Sequence, residues 1–171
     1  DFTVSRHRDG PDLFLDGFVG SLMADCYSGY EAVRTKSDGK IIRAACAAHA
    51  RRKVFDSRAN HPVHAAMLLE MFQALYDIED RAKTLPAAER QQLRHVEARP
   101  IWARMRDYLA SDAVSNVMPK EPFGQAITYL RNQFEHLLVY LDDGLMPIDN
   151  NETEQLMKQV ALGRKNWMFI G

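Results

Sequence analysis

The sequence predicts an α/β protein: a mixed or parallel sheet covered by helices, with a large all-helical segment inserted before the last helix. Three observations carry this expectation. Between Asp1 and about Asn60, short apolar runs alternate with turns and brief helical stretches. From about His61 to Asp143, apolar residues recur instead at the three-to-four-residue spacing of a helix face. After Gly144, a cluster of helix-capping residue types opens one final helix. The expected organisation is therefore 1–60, 61–144 and 145–171.

In the first zone, Phe2-Thr3-Val4-Ser5 is a strand candidate, and the Arg8-Asp9-Gly10-Pro11 turn leads into a short helix over Asp12–Val19. Ser21-Leu22-Met23-Ala24 reads as a buried strand ending at Asp25. Tyr27–Val33 reads as a brief helix, and Ser37-Asp38-Gly39 as a turn. Lys40–Cys46 is a third strand candidate, and a helix begins at His49. In the second zone, Leu68, Met71, Leu75, Ile78 and Ala82 form one apolar stripe. A new helix is expected to start at Thr84–Pro86 and to carry Leu93, Val96, Ile101, Met105 and Tyr108, with Pro100 kinking or breaking it. Phe123, Ile127, Leu130, Phe134, Leu138 and Leu141 give the third stripe. All three stripes are explained by core packing. In the last zone, Pro147–Asn151 caps a helix over Glu152–Leu162, followed by a basic, aromatic exit at Gly163–Trp167.

Composition narrows the function. The chain has 171 residues, 46% hydrophobic and 26% charged, ordinary values for a globular domain. No apolar run reaches the ~18 residues needed to span a bilayer, and no secretory leader is visible. Two cysteines, Cys26 and Cys46, make a disulfide framework implausible and a reducing cytoplasm the expected setting. A net charge of −1 argues against a protein that coats nucleic acid wholesale, but leaves local basic clusters free to bind phosphate.

Two carboxylates stand out. Asp25 follows an apolar strand, where α/β sheets place their ligands, although an aspartate there is often only a turn or cap residue. Glu154 lies in the first turn of the last helix, where the helix dipole favours any acid, and Glu152 competes with it on equal terms. Distant carboxylates brought together by packing suit magnesium, which takes a few carboxylate oxygens plus water and substrate phosphate. Basic residues gather at His49, Arg51, Arg52, Lys53 and Arg58, and again at Arg164 and Lys165 beside Trp167. Positive groups beside an acidic site suit a phosphate backbone, and Trp167 suits an unpaired base; a solvated helix face is the plain alternative. Cys46 and His49 together lack the further ligands of a zinc site.

Four segments resemble one known family. Leu22-Met23-Ala24-Asp25-Cys26-Tyr27-Ser28-Gly29-Tyr30 is similar to its second-aspartate motif, an apolar strand followed by Asp-Gly-Tyr-x-Gly-Tyr. Cys46–Phe55 resembles its Cys-Trp-Ala-His-Ala-Arg-Arg-Lys-Phe block, and Pro147–Glu154 resembles Pro-Ile-Asp-Asn-Asn-x-x-Glu-Arg. Arg164–Phe169 resembles Arg-Lys-Asn-Trp-Leu-Phe. The family is the bacterial transposases of insertion sequence 66, and the resemblance reaches across essentially the whole chain.

The resemblance implies a partial ribonuclease-H-like core with a helical insertion. It aligns Asp25 and Glu154 with the second aspartate and the glutamate of a metal-binding acidic triad, breaking the tie with Glu152. It implies Mg²⁺ (or Mn²⁺), DNA as substrate at transposon ends and target, and a homo-oligomer. It further implies a reaction in which water cleaves a phosphodiester and the released 3′ hydroxyl attacks target DNA. His49, Arg51, Arg52, Lys53, Asn150, Asn151, Arg164, Lys165 and Trp167 become the expected DNA contacts. Cys26, Ala47 and Gln155 depart from the family's Gly, Trp and Arg, and losing the guanidinium at 155 removes a phosphate or carboxylate partner. None of Asp1, Asp9, Asp12 or Asp16 sits in a first-aspartate motif. The isolated chain is therefore expected to be nearly inactive and not to hold metal by itself. A remnant acting as a DNA- or protein-binding module is the alternative, and a domain whose acids are only caps is a third reading.

Overall fold

The computed structural model describes residues 14–24 and 37–167, the side chains of 160, 161 and 163–167 excepted. The expected strand at Phe2–Ser5, the helix at Tyr27–Val33 and Asp25 lie outside the described residues.

Strand β1 (Gly20–Ala24) pairs with β2 (Ile41–Ala45) in parallel, with Gly20 opposite Ile41 and Ala24 opposite Ala45. Both strands therefore finish at the same edge. The Ser37-Asp38-Gly39 turn enters β2, with φ of 50° at Asp38 and 79° at Gly39, so the glycine takes a conformation a Cβ would disfavour. Ser37 Oγ accepts the Ile41 N–H at 3.1 Å. In β2, Ile41, Arg43, Ala44 and Ala45 are buried and Ile42 is exposed. In β1 only Ala24 is fully buried, because among the described residues β1 has a neighbour on one side alone. Of the short helix expected over Asp12–Val19, the described part is a single turn at Phe14–Gly17.

Helix α1 (Ala47–Asp56) begins two residues before the expected His49. Its start is fixed by a tertiary contact rather than a side-chain cap: the Ala47 N–H donates to the Ile148 carbonyl at 3.1 Å. Helix α2 (Pro62–Ala82) buries Leu68, Met71, Leu75, Ile78 and Ala82, the stripe read from the sequence, together with Ala65 and Phe72.

Pro100 neither breaks nor ends a helix. Helix α3 (Ala87–Leu93), capped at Pro86, passes through a π turn at Arg94–Ala98 into α4 (Arg99–Ala110). The Arg99 N–H reaches back five residues to the Arg94 carbonyl, and this wider turn accommodates a proline that has no N–H to donate. The extra residue rotates the buried face. The buried set becomes Arg94, Ala98, Trp102, Met105 and Leu109, while Val96, expected inside, is 61% exposed.

Helix α5 (Pro122–Leu138) buries Phe123, Ile127, Leu130, Phe134 and Leu137; Leu138 is half-buried as the chain tightens into a 3₁₀ turn at Val139–Asp142. Helix α6 (Asn151–Trp167) runs past the expected end at Leu162 and through Gly163, so the expected exit segment is helical. One glycine costs a helix only about 1 kcal/mol relative to alanine, and Arg164 and Lys165 are good helix formers.

The core joins all three zones of the sequence. Helix α1 packs on α5 and α2, β2 packs on α5, and α2 packs on α4. A single hydrophobic cluster runs from Ala44 and Ala45 through Trp102 and Phe134 to Met146 and Ile148. Trp102 stands edge-on to both Phe72 and Phe134 and donates its indole N–H to Tyr140 at 3.1 Å.

Candidate functional site

The candidate site forms where β2 hands over to α1 and the start of α6 packs against it. The segment before α6 is held from three sides. The Ile148 carbonyl accepts the Ala47 N–H. Asp149 accepts the Tyr76 hydroxyl of α2 at 2.6 Å on Oδ2. The Asn150 N–H points at the buried Cys46 sulfur, and burial pushes that thiol above its usual range in spite of this and other nearby N–H groups. Cys46 is thus held as a buried thiol whose charged form is disfavoured.

Asp149 organises the first turn of α6. Its Oδ1 accepts the Asn151 N–H and its Oδ2 accepts Asn151 Nδ2, both at 3.0 Å. The Glu154 N–H donates to the Asn150 carbonyl at 3.0 Å and closes the turn. This capping explains why helix begins here. It also separates the two glutamates. Glu154 is half-buried and turns toward α1, with Oε1 3.7 Å from His49 Nε2. Glu152 is exposed and lines a different cavity with Glu79, Lys83 and Arg90.

His49 is the first candidate DNA contact, and its ring is directed at Glu154, with Nδ1 buried and unpartnered among the described residues. Arg51 and Arg52 form no ion pair among the described residues. With Phe55 they line a cavity of about 600 Å³ that Gln73 and Tyr76 of α2 and Asn151 of α6 also line. Lys53 leaves this lining and sits over the Tyr129 ring of α5 at 5.0 Å. Arg58 stacks on Phe55 at 3.7 Å. Arg164, Lys165 and Trp167 belong to the last turns of α6, and their side chains lie outside the described residues.

For a divalent cation, the chemistry of the donors is right and their number is short. Glu154 and the buried Asn150 Oδ1, unpartnered among the described residues, are hard oxygen donors of the kind magnesium takes. Among the described residues no three His, Cys, Asp or Glu side chains converge on one point. Asp25 follows Ala24 in sequence, and Ala24 pairs with Ala45 one residue before Cys46 and α1.

Tyr76, Gln73 and Asp149 are the site residues that sequence reasoning passed over. Tyr76 follows Leu75 of the apolar stripe, and an aromatic with a polar tip at a stripe's border is a usable signal. Asp149 was legible as a capping type, but its tyrosine partner lies 73 residues away.

A parallel strand pair, a capped helix that turns the Glu154 carboxylate toward His49, and two arginines lining a cavity on α1 define a mixed α/β domain. The chain belongs to the Transposase IS66 family, which it matches over residues 1–171. It is 31% identical to "Uncharacterized protein y4hP" of Sinorhizobium fredii over 97% of this chain and 33% of that protein. It is 32% identical to "Uncharacterized protein y4jD" of the same organism over 99% of this chain and 34% of that protein. The chain thus spans about a third of the length of the curated relatives it matches. No solved structure matches it. No helix among the described residues is long and apolar enough to cross a membrane.

Proposed function

We propose that this chain is the carboxyl-proximal part of a transposase catalytic domain, a ribonuclease-H-like core in which Asp25 and Glu154 hold a divalent metal over a DNA phosphodiester. The observation that carries the reading is the placement of Glu154. Its carboxylate stands beside the first turn of α1, just beyond the edge where β1 and β2 both end, and Asp25 is the next residue after β1. Ligand sites of parallel α/β sheets form at that edge.

Magnesium or manganese held there would polarise the phosphodiester and offset charge on the attacking and leaving oxygens. The chain's own residues do the rest. Asp149 and Tyr76 fix the first turn of α6, His49 faces the Glu154 carboxylate, and Arg51 and Arg52 offer charge to the strand's phosphates. A third carboxylate is assigned to residues outside these 171, in a protein of the bacterial cytoplasm acting as a homo-oligomer. Binding of DNA without cleavage is the second reading, favoured by Arg51 and Arg52, which line the cavity and form no ion pair among the described residues.

Manganese titration of the longer protein that carries the third carboxylate, followed by electron paramagnetic resonance, tests the assignment. Binding that is lost on Asp25→Asn or Glu154→Gln, and kept on Glu152→Gln, is the expected pattern. Equal loss with Glu152→Gln, or none with Glu154→Gln, overturns the choice of carboxylates.

A further inference from the structure

From the cavity between α1 and α2 we infer that the site takes an unpaired nucleotide of a DNA strand end, its phosphate on Arg51 and Arg52 and its base against Phe55 and Tyr76. The inference rests on the proposed reading that DNA is the substrate. It goes further by stating which form of DNA is held and where.

Size and shape come first. At about 600 Å³ the cavity falls within the ~300–1,000 Å³ of small-ligand clefts, room for a nucleotide rather than for a stretch of duplex. A duplex could reach only the arginines at its wall. The spacing of the wall then matters. Arg51 and Phe55 are four residues apart on α1 and Arg52 lies three before Phe55, so charge and ring share one helix face. Both guanidiniums lack carboxylate partners among the described residues, which leaves their forked donors open for phosphate oxygens.

The aromatic groups separate this from a simple phosphate patch. Phe55 is 42% exposed, an unusual position for a phenylalanine, and carries Arg58 over its ring at 3.7 Å. Ring and guanidinium together form a platform of the sort on which unpaired bases stack. Tyr76 has its hydroxyl committed to Asp149, so its ring is what it adds to the lining. Bases in the interior of a duplex cannot use such surfaces, since both their faces are covered by their neighbours in the stack. Gln73 donates its amide hydrogen to Asp77 at 2.8 Å, which leaves its oxygen as an acceptor for a base edge. Asp56 at the same lining would repel a second phosphate and accept from an exocyclic amino group.

The test uses the full chain and two fluorescein-labelled DNA hairpins of one stem sequence, one blunt and one with a single-stranded tail of about four nucleotides. Fluorescence anisotropy at fixed salt should show the tailed hairpin binding about tenfold more tightly, the worth of one stacked base. Phe55→Ala should abolish that preference, lowering the tailed hairpin's affinity to that of the blunt one. Arg51→Ala should weaken both. Thermal melting of each variant checks its fold, and Phe55→Leu, which keeps an apolar side chain without the ring, should lose the preference equally. Equal binding of the two hairpins, or a preference that survives both Phe55 variants, overturns the inference while DNA as substrate stands. Binding of neither hairpin overturns both.

Discussion

The Tyr76 hydroxyl donates to Asp149 Oδ2 at 2.6 Å, joining the middle of α2 to the cap that starts α6. The helical segment is thereby bonded to the helix that carries Glu154. Burial first, and the Asp149 carboxylate second, push the Tyr76 phenol well above the ordinary tyrosine value of 10.0. A hydrogen bond from a phenol to a charged acceptor contributes about 1.5–3 kcal/mol where it is buried, and nearer 1 kcal/mol at this half-buried position. Tyr76→Phe should lower stability by about that amount in urea unfolding near neutral pH.

The same bond predicts an alkaline loss. A phenol whose folded pKa is raised binds its proton more tightly folded than unfolded, so its contribution is complete below the unfolded value of 10.0 and fades as pH climbs above it. Tyr140, also raised by burial, acts in the same sense. The urea midpoint of the wild type should therefore fall as pH climbs past about 9 to 10, and Tyr76→Phe should show a shallower fall, Tyr140, Tyr108 and Cys46 supplying the remainder. Parallel curves for the two proteins would sink this prediction.

Arg94 is fully buried in the π turn. It donates to both oxygens of Glu79 at 2.9 and 2.6 Å, and to the carbonyls of Tyr140 and Asp143 at 2.9 and 2.8 Å. Arg94→Leu should cost about 3–5 kcal/mol, because Glu79 and two carbonyls lose their donor in a buried setting. The double variant Glu79→Leu/Arg94→Leu should regain part of that loss, leaving a coupling energy that a double-mutant cycle in urea reads directly.

Gly144 is required for space rather than for backbone freedom. A Cβ there would lie 1.9 Å from the Ala87 carbonyl oxygen, a clash with main chain that no rotamer relieves. Gly39, in contrast, has open space around a Cβ but a φ of +79°. Gly144→Ala should therefore lose about 2–3 kcal/mol and Gly39→Ala about 1 kcal/mol, compared by thermal or urea unfolding.

The cationic face should divide in two. Arg51 and Arg52 line the open cavity, whereas Lys53 is drawn over Tyr129. Removing either arginine should make the salt dependence of DNA binding less steep by about one unit of log–log slope. Lys53→Ala should change that slope less, and the comparison needs only anisotropy titrations across a salt series.

Local sequence was enough to place the strands β1 and β2, the apolar face of α2, and the capped start of α6. These follow from local periodicity and cap chemistry, which a chain carries wherever it folds. The resemblance of four motifs also named the family that the whole-chain match then showed. Tertiary structure decided the rest. It started α1 at Ala47, through a carbonyl about a hundred residues distant, and turned the buried face of α3–α4 with a π turn that hides Arg94 and exposes Val96. It also parted Glu154 from Glu152, one toward His49 and the other toward Lys83. Each of these depends on which side chain or carbonyl a distant segment brings into contact, and no window of neighbouring residues contains that information.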